Sequence, residues 1–316
     1  MPRVSISRTV VLALLCALLV AACAHRSPFD SAQGDKVGAA QGDKGGAAQG
    51  DTNGKIQVAT TISTLNSFVQ GVGGEYVSVK NIVPIGASPE TFAPAPQDVA
   101  TVADANLLVE NGAGLESWLD RLLQDARSRD LHRVVCTTGL PVKNANPHLW
   151  MDPVYAKACV NGIRDALVAA DPTHADAYRR NATSYNARLD ALTKQIQAQI
   201  NTIPPSHRYM IVFHNAWQYY NDRFGITTLG FVERNPDQEP NPQQIAQLID
   251  LAKAHHVRAV FSEPEYSPKI LYTIAQGAGI KVVENLYDDS VGTDPRVANY
   301  IAMLTYDTNE IVQALK

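Results

Sequence analysis

Apolar positions along the chain keep two alternating rhythms. Ile56, Val58 and Thr60 repeat with period two, and Leu65, Phe68, Val69 and Val72 follow at helical spacing, ending at Gly73-Gly74. The same exchange recurs. A strand is predicted through Val77, Val79 and Ile82, a helix from Pro96 to Ala105, a strand at Leu107–Val109 and a helix around Trp118–Ala126. A short strand at Val134-Val135 and a helix over Val154–Val168 complete the first half. Beyond Pro205, strands at Tyr209–Phe213, Ile226–Phe231, Val257–Ser262 and Ile280–Val283 alternate with helices at Trp217–Phe224, Pro242–His255 and Pro268–Gln276. Gly277 is expected to close the last of these, and Asp294-Pro295 to cap a terminal helix with Tyr300, Leu304 and Ile311 on its apolar side. Strands alternating with helices imply an α/β fold of parallel βαβ units.

One stretch breaks the alternation. From Asp171-Pro172, the residues Tyr178, Ala182, Tyr185, Leu189, Leu192, Ile196, Gln199 and Ile203 step by four and three, and no glycine or proline intervenes before Pro204-Pro205. A helix this long spans a domain, and its continuous stripe lies on protein. A coiled-coil dimer also fits the stripe, but α/β segments on both sides favour a strut between two domains within a monomer.

The remaining texture is not globular. Arg3 and Arg8 precede the apolar run Val10–Val20, too short to span a bilayer comfortably and shaped like an export signal. The run ends in Val20-Ala21-Ala22-Cys23, which resembles a bacterial lipobox; cleavage would leave Cys23 lipidated and anchored to a membrane. Residues 24–54 repeat Ala-Gln-Gly-Asp at Ala32, Ala40 and Ala48 with almost nothing apolar to bury, which predicts a flexible tether. The expected organisation is a signal over 1–22, a lipidated tether over 23–54, an N-terminal lobe over 55–170, a linking helix over 171–203 and a C-terminal lobe over 204–316. A formal net charge of −4 gives no basic surface for nucleic acid. Only Cys136 and Cys159 remain in the folded part; an oxidising compartment permits a disulfide, and two buried thiols fit equally.

Candidate chemistry centres on Asn146-Pro147-His148-Leu149-Trp150-Met151-Asp152-Pro153, where Asp152 reads as a helix N-cap before proline at the first helical position. Glu90, His214 and Asp289 also fall where strands give way to loops, the edge at which open α/β sheets place ligands. Two come from each side of the long helix, so the cleft between lobes is their natural meeting place. Imidazole and carboxylate suit a first-row divalent metal, and four ligands from four segments favour carrying the ion over catalysis with it. His132, His207, His255 and His256 read as structural, and Glu263 as an outer-shell or surface acid; Asn146 and Asn215 are candidates to orient the ligands.

The chain resembles the zinc/manganese solute-binding lipoproteins of bacterial ABC transporters over residues 55–316. The resemblance rests on Gly86-Ala87-Ser88-Pro89-Glu90-Thr91-Phe92-Ala93-Pro94-Ala95-Pro96-Gln97-Asp98, on the His148 stretch, on Phe213-His214-Asn215-Ala216-Trp217-Gln218-Tyr219-Tyr220 and on Leu286-Tyr287-Asp288-Asp289-Ser290-Val291-Gly292. It implies two α/β lobes with mainly parallel sheets joined by one rigid helix, a Zn2+ or Mn2+ ion between them, and delivery to a membrane permease powered by a partner ATPase. It implies Glu90, His148, His214 and Asp289 as ligands, with Asp289 preferred to Asp288 by the motif alone. The family usually has histidine where this chain has Glu90, and a long His-rich loop is absent, so zinc and manganese stay even. An exported protein facing the periplasm or cell exterior follows. Competing readings are a zinc hydrolase with Glu90 as general base, a carrier of a metal chelate or haem, and a second role as adhesin.

Overall fold

The computed structural model describes residues 54–127, 131–233 and 240–316. The export signal expected over 1–22, Cys23, and nearly all of the tether expected over 23–54 lie outside the described residues.

Two four-stranded sheets, each wholly parallel, form the two lobes. The first contains β1 (Ile56–Thr60), β2 (Val77–Asn81), β3 (Leu107–Glu110) and β4 (His132–Val135) in the order β2-β1-β3-β4. The second contains β5 (Tyr209–His214), β6 (Thr227–Glu233), β7 (Ala259–Phe261) and β8 (Lys281–Val283) in the order β6-β5-β7-β8. Crossover helices cover them: α1 (Ser63–Gly73), α2 (Pro96–Ala103), α3 (Leu119–Ala126) and α4 (Pro153–Ala170), then α5 (Ala175–Ile200), α6 (Gln218–Phe224), α7 (Pro242–Ala254), α8 (Lys269–Ala278) and α9 (Tyr300–Leu315). In both sheets the order doubles back beside the first strand, at β1 and β5. The connections leaving carboxyl ends there face one another, which is where such folds put a ligand.

Helix α5 is the element the sequence marked most clearly. Tyr178, Ala182, Tyr185, Leu189, Leu192 and Ile196 are all buried on one face, and one buried cluster runs through them from Val58 and Leu107 to Val212 and Phe261. Its 26 residues make it about 39 Å long. It is shorter than expected at both ends. Residues 172–174 form a separate 3-10 turn, whose His174 Nδ1 and, one turn on, Tyr178 hydroxyl meet the Asp171 carboxylate at 2.6 and 2.7 Å. Gln199, placed on the stripe, instead reaches Asn309 of α9 at 2.8 Å, and Ile200 takes the buried position.

Two expected helix boundaries move. Gly277 lies inside α8, where a Cβ would come within 2.7 Å of Ile249, so close packing calls for the glycine; the left-handed stop is Gly279, with φ 73°. Asp294 does not cap α9. Its carboxylate holds Arg296 at 2.8 Å, and Asn299 Oδ1 accepts from the Ala302 amide at 3.1 Å as the cap. That start packs on the first lobe: Tyr300 meets the Phe68 ring at 4.7 Å, and its amide donates to Ser67 Oγ at 3.2 Å.

Cys136 and Cys159 form a disulfide with Cα atoms 4.3 Å apart, joining the end of β4 to α4.

Candidate metal centre

Four loops converge between the sheets, and each is tied before its functional side chain appears. Asp152 caps α4 by accepting from the Val154 amide at 2.8 Å, and its other oxygen holds Arg223 of α6 at 2.7 Å. The Pro147 carbonyl accepts from Asn111 Nδ2 at 2.9 Å. Asn146 donates to the Asn215 carbonyl at 2.6 Å, one residue after His214. Its Oδ1 accepts the His148 amide at 3.0 Å and faces the ring Nδ1 at 2.9 Å. An amide oxygen only accepts, so Nδ1 of His148 carries a proton, and Nε2 is the nitrogen turned into the cleft.

His214 ends β5, with no exposed surface. Its Nε2 lies 3.1 Å from Nε2 of His148. Burial first of all, and the neighbouring His148, push the His214 imidazolium down to about pKa 4 against the attraction of Asp289.

Asp289 approaches the same point from the β8–α9 connection, its Oδ1 3.3 Å from His148 Nε2 and its Oδ2 4.0 Å from His214 Nε2. Burial alone would raise its carboxyl, but the His148 contact and both imidazoles outweigh that and hold it below the usual range. Glu90 arrives from the β2–α2 loop, Oε1 3.7 Å from His148 Nε2 and its side chain 18% exposed. Single donor atoms of Glu90, His148 and His214 all lie within 4.8 Å of one another. Trp118 Nε1 pins the Glu90 loop through the Pro89 carbonyl at 2.8 Å, and Gly86 meets Ser290 Oγ at 3.2 Å across the cleft. Gly86 has φ 82°, a conformation that favours glycine.

All four residues singled out in the sequence are therefore brought to one place, two from each lobe. The two neighbouring aspartates take different sides of His214: Asp289 faces the paired Nε2 atoms, whereas Asp288 Oδ2 lies 3.5 Å from His214 Nδ1. Glu263 is no surface acid; it is fully buried and shares that inner side with Asp288.

Sequence reasoning missed how acidic the surroundings are. Glu265 follows β7 two residues after Glu263 and accepts from Ser290 Oγ at 2.6 Å. Burial and the nearby Asp289 charge push its carboxyl up to about 7. Burial chiefly raises Glu263 and Asp288 well above the ordinary range; the charges of Glu265 and Asp289 add to it at Glu263, and those of Glu263, Asp289 and Glu265 at Asp288. The signal was present in Glu263-Pro264-Glu265, an acid doublet at the carboxyl end of a predicted strand. Such a pocket attracts a cation, and the Nε2 atoms of two imidazoles face each other in it.

The family model for zinc-uptake complex component A, periplasmic (ZnuA), matches residues 58–314. The manganese-binding lipoprotein MntA of Halalkalibacterium halodurans is 33% identical over 265 residues, 82% of this chain and 88% of that protein. The iron-binding protein YfeA of Yersinia pestis is 30% identical over 269 residues, 82% of this chain and 86% of that protein. A crystal structure of ZnuA superposes with a TM-score of 0.75 at 28% identity, covering 83% of this chain and all (100%) of that one. TroA of Treponema pallidum, described as a periplasmic zinc-binding protein, gives 0.77 at 21% identity over 83% of this chain and 99% of that one, a likeness of fold alone. The chain belongs to the ZnuA family of periplasmic metal-uptake components.

Proposed function

We propose that this chain captures a divalent transition-metal ion, manganese or zinc, between its lobes and hands it as cargo to the permease of an ABC importer driven by a partner ATPase. Glu90, His148, His214 and Asp289 are its ligands. The single observation that carries the reading is the meeting of two imidazole Nε2 atoms at 3.1 Å with Asp289 and Glu90 at 3.3 and 3.7 Å from the same His148 nitrogen. Two neutral nitrogens and two carboxylates neutralise a divalent cation. Four protein donors leave little room for a substrate to react, which disfavours a hydrolase. A fully buried His–Asp pair does not offer the apolar cleft an organic chelate needs.

A carboxylate at position 90 in place of an imidazole moves the donor set toward manganese, which takes more oxygen ligands than tetrahedral zinc. Export and lipidation at Cys23 fit the lipoprotein names of relatives such as MntA. Among the described residues no helix is long and apolar enough to cross a membrane.

The experiment is metal analysis of the purified protein after growth in mixed-metal medium, beside titration of stripped protein with Mn2+ and Zn2+. One ion per chain, lost in the His148→Ala variant, is expected. Full stoichiometry and affinity in both His148→Ala and His214→Ala would remove the site.

A further inference from the structure

Asp288 is a buried acid to which the four-ligand reading gives no task. It is fully buried and directed away from the paired Nε2 atoms. It nevertheless touches all three buried ligand loops. Its carbonyl accepts from the Trp150 indole at 2.8 Å, two residues beyond His148. Its Oδ1 accepts the Asp289 amide at 2.6 Å. Its Oδ2 lies 3.5 Å from Nδ1 of His214.

We propose that Asp288 is a positioning residue: outside the coordination sphere, it sets the direction of Asp289 and of the His214 ring and ties their loop to that of His148. The inference rests on Glu90, His148, His214 and Asp289 being the ligands. An imidazole that binds a metal through Nε2 carries its proton on Nδ1, and a buried N–H requires an acceptor. Asp288 Oδ2 stands on that side of the ring. Its approach shortens to a hydrogen bond once Nε2 is engaged, as contacts in unliganded sites commonly tighten on binding. His148 has the equivalent support from Asn146 Oδ1, at 2.9 Å from its Nδ1. The two imidazoles are thus braced by different groups, an amide on one and a carboxylate on the other. A carboxylate partner makes the ligating nitrogen a stronger donor.

Asparagine tests this because it keeps the shape and reverses the polarity. With its Oδ1 retained by the Asp289 amide, the substituted side chain would turn an NH2 toward His214 Nδ1. That NH2 opposes the N–H needed for metal binding and rewards the tautomer with its proton on Nε2. The same reversal at the aspartate of a catalytic triad misplaces the imidazole tautomer.

Asp288→Asn should bind Mn2+ and Zn2+ about 10- to 100-fold more weakly, the range for partners that orient metal ligands. Its metal-stripped form should keep the wild-type circular dichroism. In the zinc-loaded wild type, the His214 Nδ1 proton should resonate far downfield, and that signal should vanish or move upfield in Asp288→Asn. If Asp288→Asn does not fold, Asp288→Ser, which retains a short acceptor for the Asp289 amide, is read in its place. Wild-type affinity for both ions in the folded variant would overturn the assignment. So would anomalous scattering that placed the ion on the Nδ1 side of His214, bound by Asp288 and Glu263. His148→Ala separates the two levels. Weak binding there with unchanged Asp288→Asn removes only Asp288, whereas unchanged binding in both removes the metal site itself.

Discussion

His148 and His214 lie 66 residues apart, the first in a loop after the last strand of one sheet and the second at the end of a strand of the other, and bring their Nε2 atoms to 3.1 Å. Neither lobe alone can make that contact. An ion that takes both lone pairs holds the lobes together and binds only the folded chain.

Saturating metal is therefore expected to raise the melting temperature, with about 4 kcal/mol of added stability at a thousandfold excess over Kd. His148→Ala should lose most of that rise and more than about 100-fold in affinity, beyond the effect of removing an orienting partner. Differential scanning calorimetry with and without Mn2+ measures both. A rise of wild-type size in His148→Ala would place the ion elsewhere.

The frame was legible because its signals are local. The stripe of α5 and the capping of α4 by Asp152 were read correctly from spacing. The four candidates were picked out by their places where strands give way to loops and by motifs; the 198 positions of sequence between Glu90 and Asp289 give no hint of contact by themselves. What remained hidden depends on tertiary neighbours. Gly277 looked like a helix stop and is a packing contact with Ile249. Asp288 and Asp289 are chemically the same residue type, and only the side of the His214 ring that each faces separates them. The raised carboxyls of Glu263 and Glu265 follow from burial, which alternation alone does not report.

The preference between zinc and manganese is expected to depend on Glu90. It is the most exposed of the four candidates, with an 18% exposed side chain, and can bind through one oxygen or two. Glu90→His should gain preference for zinc over manganese relative to wild type, and Glu90→Ala should weaken both ions. Competition titrations with the two metals decide. Unchanged affinities and unchanged preference in both variants would take Glu90 out of the coordination sphere.

The Cys136–Cys159 disulfide closes the segment that carries Asn146, His148 and Trp150, with 23 residues of separation. A loop of that size contributes about 3 kcal/mol in the chain-entropy account. Replacing both cysteines by serine should lower stability by about that amount in denaturant melts. The loss of metal affinity should stay below about tenfold by the same titration, because the Asn111–Pro147 and Asn146–Asn215 hydrogen bonds still hold the loop. A larger loss of affinity than of stability would make the bridge part of the site rather than a brace.

The metal-stripped protein should show two opposing pH dependences. The His214 value falls from 6.5 to about 4, mainly through burial, so its contribution is complete above 6.5 and is lost as pH falls toward 4. The Glu265 value rises from 4.5 to about 7, mainly through burial, so its contribution is complete below 4.5 and is lost as pH rises through 7. Each is worth about 3 kcal/mol at 1.36 kcal/mol per pKa unit. Glu265→Gln deletes only the second and keeps an oxygen for the Ser290 hydroxyl. The stability of metal-stripped Glu265→Gln relative to wild type should therefore increase by about 3 kcal/mol between pH 4.5 and pH 7.5. Bound metal should shrink that difference, because a cation beside Asp289 stabilises the Glu265 carboxylate that water cannot reach. Urea melts at both pH values, with and without Mn2+, give the four numbers needed. A difference that stays flat across the range would show that Glu265 ionises as an ordinary surface glutamate and that the pocket is less acidic than its geometry implies.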